Sequence, residues 1–147
     1  LCNCTPSMVE NYLSRISGPM LDRIDMHIHV ERVAAEELTG DEYAEPSTDI
    51  AKRVAAARAI QLERFAKDGI YTNAQMGAQQ IRKYCQIGIA ERDFLGKIIE
   101  KMHLSARAYS RILKLSRPIA DLKGLKVISL QCISEAVQYR NLDRYNL

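Results

Sequence analysis

The 147-residue sequence has no long apolar segment, few cysteines and almost no net charge. It lacks the run of about 18 apolar residues that a membrane-spanning helix needs, and its first residues do not form a secretory leader. Its four cysteines are too scattered for a small disulfide-stabilised domain, which favours a reducing, cytoplasmic location. With 47% hydrophobic and 27% charged residues, the composition is that of a folded domain rather than a disordered chain.

The formal net charge of +3 combines two parts of opposite sign. Residues 1–100 carry 12 basic and 15 acidic side chains, which gives −3, whereas residues 101–147 carry 9 basic and 3 acidic side chains, which gives +6. A basic segment of this kind often contacts a polyanion, although a solvated surface has the same composition.

A helix and a strand are predicted before residue 34. The helix begins near Pro6 and repeats apolar residues at helical spacing. Period-two alternation over residues 26–30 then predicts a strand that buries Met26, Ile28 and Val30.

An acidic linker separates this region from an all-helical one. Residues 34–47 contain glycine and proline among acidic side chains, which is typical of a linker, and apolar spacing over residues 48–147 predicts a small helical bundle. The predicted helices cover about 48–67, 78–85 and 91–102, a long segment between Ser105 and Gly124, and about 129–140. The predicted inward residues are Ile50, Ala51, Val54, Ala55, Leu62 and Phe65 on the first of these helices, and Leu130, Ile133, Ala136 and Val137 on the last.

One candidate metal-binding pattern is Asp25-x-His27-x-His29. On a strand, alternate residues share one face, so a carboxylate and two imidazoles could converge on a metal ion. His103 is the one other histidine, and the barrel hydrolases that open with such a motif need about 250 residues. We therefore favour a polar strand face and keep a metal-dependent hydrolase as an alternative.

Arg107 is the main candidate for an anion contact. It lies in the first turn of a predicted helix, with Arg111 and Lys114 on the same side. A helix start offers unpaired N–H groups and the positive end of the dipole, so a basic residue there is unfavourable unless an anion is nearby. Arg107 and Arg111 are like charges four residues apart, and their repulsion also favours a nearby anion.

Two other arginines stand out by position. Arg23 lies at the corner between the first helix and the strand, where the flanking Asp22 and Asp25 suggest a weak surface ion pair. Arg58 falls within the predicted apolar face, so we expect it to be buried against a carboxylate such as Glu91 or Asp93.

Cys2 and Cys4 could supply half of a metal site. Zinc requires four ligands, and no second close pair of cysteine or histidine residues adjoins them. Two ordinary thiols are the simpler interpretation. The initial Leu1 also suggests a segment of a longer protein.

Four separated strings of the sequence are, in order, RISGPMLDRIDMHIHV, RVAAARAIQLERF, LSARAYSRILKLSRPIADLKG and ISEAVQYRNLDR. Together they resemble the carboxyl-terminal part of the magnesium-chelatase-related AAA+ ATPases of the ComM/YifB type. This resemblance implies a mainly α fold, in which a helical lid domain over 48–147 follows a remnant of an α/β ATPase core over 1–33, comprising a helix and the last strand. Members of this type are hexameric ATPases that act on DNA, so a homo-oligomeric ring, ATP and Mg²⁺ are implied for the intact protein.

The resemblance also implies roles for two arginines. Arg23, in Met20-Leu21-Asp22-Arg23, is similar to the arginine finger that reaches the nucleotide of a neighbouring subunit. Arg107, in the Ser-x-Arg-Ala string, is similar to the sensor-2 arginine that contacts the nucleotide of its own subunit. Such a finger typically increases the rate about 10³–10⁵-fold.

One departure limits what this chain can do alone. The phosphate-binding motif G-x-x-x-x-G-K-[ST] is absent, because Gly96-Lys97 is followed by Ile98 and preceded by Glu91 at the position of the first glycine. We therefore expect this chain by itself to be inactive and to bind no nucleotide tightly. The remaining alternative is a non-catalytic helical module that binds nucleic acid or protein through its basic end.

Overall fold

The computed structural model describes residues 3–21, 23–33 and 44–140. Within these ranges the protein is mainly helical, as predicted, and none of the described helices has the length and apolar character needed to cross a membrane. Cys2, Asp22 and residues 34–43 of the predicted linker lie outside the described residues. The helices are α1 (Pro6–Leu13), α2 (Gly18–Leu21), α3 (Ser47–Arg64), α4 (Ala78–Tyr84), α5 (Ile89–Lys101), α6 (Ala106–Leu122) and α7 (Leu130–Gln138), with a 3₁₀ turn at Asn73–Gln75.

Helix α6 is the central element of the bundle. It packs against α3, the 3₁₀ turn, α4 and α7, while α5 packs on α7. One hydrophobic core joins these elements, because the apolar residues of α6 and α7 recur at helical spacing and meet face to face. The buried members of that core are Phe65, Met76, Cys85, Leu95, Ile112, Leu113, Ile119, Ala120, Ile128, Cys132, Ile133, Ala136 and Val137.

Local hydrogen bonds determine where α6 begins and ends. The hydroxyl of Ser105 accepts from the N–H of Ala108 at 3.2 Å, which confirms the predicted cap. At the other end, Gly124 has a φ of +66° and the N–H of Leu125 donates to the carbonyl of Ala120 at 2.8 Å. This left-handed ending favours glycine, so the predicted break at Gly124 is also confirmed.

The predicted inward face of α3 is largely wrong. Ile50, Val54 and Leu62 are exposed, whereas Ala57 and Gln61 are buried. The reason is tertiary: every side chain over 47–56 is exposed, so burial begins only in the second half of the helix. A similar error affects α7, where Leu130 is exposed although Ile133, Ala136 and Val137 are buried as predicted.

The predicted strand over residues 26–30 is not formed. The described segment 24–33 is irregular, and its exposure is the reverse of the prediction: His27 is only 7% exposed, whereas Met26, Ile28 and Val30 are exposed. The backbone N–H of His27 donates to the carbonyl of Tyr139, at 2.6 Å. Because this segment contacts the end of α7 instead of another strand, alternation could not determine which side is buried.

Helix α1 begins as predicted but buries nothing. The hydroxyl of Thr5 accepts from the N–H of Met8 at 3.4 Å and Pro6 occupies the first turn. None of its residues is buried, and its apolar side chains are all exposed.

Candidate functional site

Arg107 lies on the surface at the start of α6. It is the second residue of this 17-residue helix, and its side chain is exposed. Its guanidinium makes no ion pair or hydrogen bond to any residue that the structure describes. The cap at Ser105 uses the N–H of Ala108, so the earlier N–H groups of the first turn remain available. An anion placed here would meet a full positive charge and the positive end of the helix dipole.

Arg23 is a second exposed arginine, located just after α2. Its backbone N–H donates to the carbonyl of Met20 at 3.0 Å, and the preceding Leu21 is buried and anchors the corner. The guanidinium has no hydrogen-bond or ion-pair partner among residues 3–21, 23–33 and 44–140. The backbone of Arg23 is therefore fixed, while its guanidinium can still contact an external anion.

An ion pair joins the segment that carries Arg23 to the helix that begins with Arg107. Arg111 pairs with Asp25. Arg111 lies one helical turn beyond Arg107, and Asp25 lies two residues beyond Arg23, so the pair fastens the Arg23 corner beside the first turns of α6. The sequence analysis offered Asp22 and Asp25 as partners of Arg23 and an anion as the partner of Arg111. Asp25 pairs with Arg111 instead, and Asp22 lies outside the described residues.

The same segment is held from its other side by the end of α7. Arg140 is fully buried, and its Nη1 donates to the carbonyl of Ile24 at 3.0 Å. The adjacent carbonyl of Tyr139 accepts from the N–H of His27. No local signal in the sequence indicates this contact, because 116 positions separate Arg140 from Ile24.

A buried polar cluster, which we call the Asp121 hub, lies at the other end of α6. The carboxylate of Asp121 accepts from Arg64 at 2.7 Å, from Arg117 Nε at 3.1 Å and from Asn73 Nδ2 at 2.7 Å. Arg117 also donates to the carbonyls of Leu125 at 2.7 Å and Lys126 at 3.1 Å. The hub thus links α3, the 3₁₀ turn, α6 and the turn after it. The sequence analysis missed it, although Arg117 and Asp121 stand four residues apart among apolar neighbours.

These contacts account for part of the positive charge of residues 101–147. Of the nine basic residues over 101–147, Arg111 and Lys123 are paired with carboxylates, Arg117 belongs to the Asp121 hub, and Arg140 bonds a carbonyl. Much of the positive surplus is therefore used inside the fold. Arg107 keeps its charge available.

A cleft of about 530 Å³ lies among α4, α5 and α6. Arg82, Arg92 and Ser110 line it, and no acidic residue does. Cys85 is at its floor, where burial raises the pKa of the thiol to about 11. At neutral pH this thiol is protonated, which makes it a poor nucleophile and a poor metal ligand.

The structure does not assemble the candidate metal site. His27 is buried, His29 is exposed and Asp25 is paired with Arg111. No group of three or more histidine, cysteine, aspartate or glutamate side chains suited to a metal occurs in the described part of the chain. Cys4 is exposed, while its neighbour Cys2 lies outside that part.

The predicted burial of Arg58 is wrong. Its side chain is exposed on α3, whereas Ala57 and Gln61 of the same helix are buried. Arg64, the part-buried arginine of this helix, pairs with Asp121.

Comparison with known proteins gives a consistent relationship. The sequence model of the family described as "Magnesium chelatase, subunit ChlI C-terminal" matches residues 44–140, and that of "Magnesium chelatase, subunit ChlI" matches residues 1–38. The chain is similar to the competence protein ComM of Haemophilus influenzae, with 39% identity over 142 residues. It is also similar to YifB of Salmonella typhimurium (37%) and of Escherichia coli (35%). These alignments cover 95–96% of this chain and 27% of each relative. The chain therefore belongs to the magnesium chelatase ChlI family, and its predicted relation to ComM and YifB is confirmed.

Proposed function

We propose that this chain is part of a cytoplasmic AAA+ ATPase, in which Arg23 and Arg107 act on bound ATP. The intact protein would form a homo-oligomeric, hexameric ring that acts on DNA. The observation that carries this proposal is the presence of two exposed arginines on segments that the Asp25–Arg111 pair joins, neither of which has a hydrogen-bond or ion-pair partner among the described residues. The relation to ComM adds support for a link to DNA uptake.

The positive charge of the two arginines suits the chemistry of phosphoryl transfer. During phosphoryl transfer, negative charge is spread over the oxygens of the transferred group, and a guanidinium can donate two parallel hydrogen bonds to them. Arg107 adds the helix dipole and the unpaired N–H groups of the first turn of α6. Arg23 presents its charge from a corner that Leu21 anchors. Both side chains therefore suit phosphate binding.

The described residues do not suit Mg²⁺ in the same way. Mg²⁺ prefers carboxylate and water oxygens, and the described ranges contain no cluster of three acidic or other metal-binding side chains. The phosphate-binding loop is also absent from the sequence. We therefore assign to this chain the arginines that stabilise charge, and assign the loop and the metal ligands to other parts of the intact protein.

Replacing Arg107 by alanine in the intact protein is expected to slow ATP turnover about 10²-fold, the usual loss when one preorganised donor to the transition state is removed. A coupled phosphate-release assay measures the rate. Lys97→Ala is the matched control, because it removes a positive charge from an exposed position on α5 away from this surface. Turnover of Arg107→Ala equal to that of the control would reject the proposed role.

A nucleic-acid-binding function is the second candidate, and the cleft among α4, α5 and α6 favours it. Arg82 and Arg92 are exposed, and no acidic residue is among those that line the cleft, an arrangement that suits phosphodiester groups. Replacing both by alanine in the intact protein is expected to weaken duplex DNA binding. The slope of log affinity against log salt should also decrease by about 1.8, since each phosphate contact contributes about 0.9.

Fluorescence anisotropy with labelled duplex DNA at several salt concentrations measures this slope. Lys97→Ala with Lys101→Ala is the control, because both lysines are exposed on α5 outside the cleft. An equal change in slope for the two double variants would show that the cleft is not a specific site.

A further inference from the structure

Besides the Asp25–Arg111 pair, three contacts attach the segment that carries Arg23 to the rest of the chain. Leu21 is buried, the carbonyl of Ile24 accepts from Arg140, and the N–H of His27 donates to Tyr139. Arg23 lies between the first two of these points. The attachment is therefore on both sides of the exposed guanidinium, and two of the three contacts come from the end of α7.

Arg140 is an unusual residue to hold a backbone segment in place. Its side chain is fully buried, and burying a guanidinium costs free energy unless its donors are bonded. One of them, Nη1, is committed to the Ile24 carbonyl at 3.0 Å. An irregular segment has no strand neighbours to satisfy its backbone, so Arg140 supplies a bond that a β-ladder would otherwise supply.

The Asp25–Arg111 pair is partly exposed to solvent, unlike the side chain of Arg140. The side chains of Arg111 and Asp25 are 27% and 50% exposed, and ion pairs this accessible contribute little to stability. Arg111 nevertheless joins the residue two positions after Arg23 to the helix that begins with Arg107. The consequence of this pair is geometric, because it sets where Arg23 stands relative to α6.

We propose that Arg111, through Asp25, and Arg140, through the Ile24 carbonyl, are positioning residues that orient Arg23 for action on nucleotide. This inference rests on the proposed function of Arg23. Displacement of a reacting group by about 1 Å costs about 10²-fold in rate, so loss of this alignment is expected to reduce kcat and leave the KM for ATP almost unchanged.

A charge exchange tests the positioning role in the intact protein. Asp25→Arg and Arg111→Asp each place like charges together, so each alone is expected to reduce kcat at least about tenfold. The double variant restores an opposite pair with the order reversed and is expected to recover most of the wild-type kcat. The midpoint of urea unfolding should remain unchanged in all three variants, since an exposed pair contributes little to stability.

Arg23→Ala, measured in the same assay, separates this inference from the proposed function. Normal turnover of Arg23→Ala would reject the proposed function itself. Loss of turnover in Arg23→Ala together with normal turnover of both single charge variants would reject only the positioning role. A double variant whose kcat stays as low as that of the single variants would also reject the positioning role. The single substitutions would then have acted through something other than the charge pair.

Discussion

Replacing Asp121 by alanine is expected to lower the free energy of unfolding by about 3–5 kcal/mol, the usual cost of removing one partner from a buried ion pair. The carboxylate is fully buried and accepts hydrogen bonds from Arg64, Arg117 and Asn73. Its removal would leave Arg117, whose side chain is only 4% exposed, without a counter-charge. The loss also exceeds that of one contact because the Asp121 hub joins α3 and the 3₁₀ turn to α6.

Urea unfolding of this chain, followed by circular dichroism, measures the effect. The control is Glu135→Ala, which removes a carboxylate that pairs with Lys123 at 2.7 Å on the surface. That variant is expected to lose less than about 1 kcal/mol, as exposed pairs do. Similar losses in the two variants would show that the Asp121 hub does not stabilise the bundle as its burial indicates.

Under the proposed function, replacing Arg23 by alanine in the intact protein is expected to slow ATP hydrolysis about 10³–10⁵-fold. The reason is that a finger stabilises charge in the transition state more than it stabilises bound ATP, so affinity for a non-hydrolysable ATP analogue should change little. Single-turnover hydrolysis and analogue binding measure the two quantities separately. A parallel loss of binding and hydrolysis would show that Arg23 contributes to ground-state binding instead.

Mixing two inactive variants would identify the subunit on which Arg107 acts. If Arg23 serves a neighbour's nucleotide and Arg107 serves its own, an equal mixture of Arg23→Ala and Arg107→Ala chains regains activity at about one quarter of its sites, because head-to-tail assembly places intact partners together at random. If both arginines serve the same neighbouring nucleotide, the mixture regains none.

Features that depend on neighbouring residues could be predicted from the sequence. The beginning of α1 at Pro6, the beginning of α6 after Ser105 and its end at Gly124 follow from local hydrogen bonds and from the φ of one residue, and all three are confirmed. The mainly helical fold and the family also followed from the sequence, because helical spacing and four ordered strings are properties of short segments.

Features that depend on distant residues could not be predicted. Arg111 and Asp25 are 86 positions apart, and Arg64 and Asp121 are 57 apart, so neither pair leaves a periodic signal. Alternation over 26–30 predicted the wrong buried side because the segment packs on α7. The roles of Arg23 and Arg107 stay predictions that follow from the resemblance, and the structure adds their exposure and surroundings.

The exposed first half of α3 has a mechanical consequence. Among the described residues of α3, burial begins at Ala57, so the ten residues over 47–56 form an exposed arm about 15 Å long, at a rise of about 1.5 Å per residue. The other end of α3 is clamped by Arg64 in the Asp121 hub. A rotation of the bundle by about 10° would move the tip of this arm by about 2.6 Å. A small rotation of the bundle would therefore displace Ser47, the first residue of α3, by more than it displaces residues near Arg64.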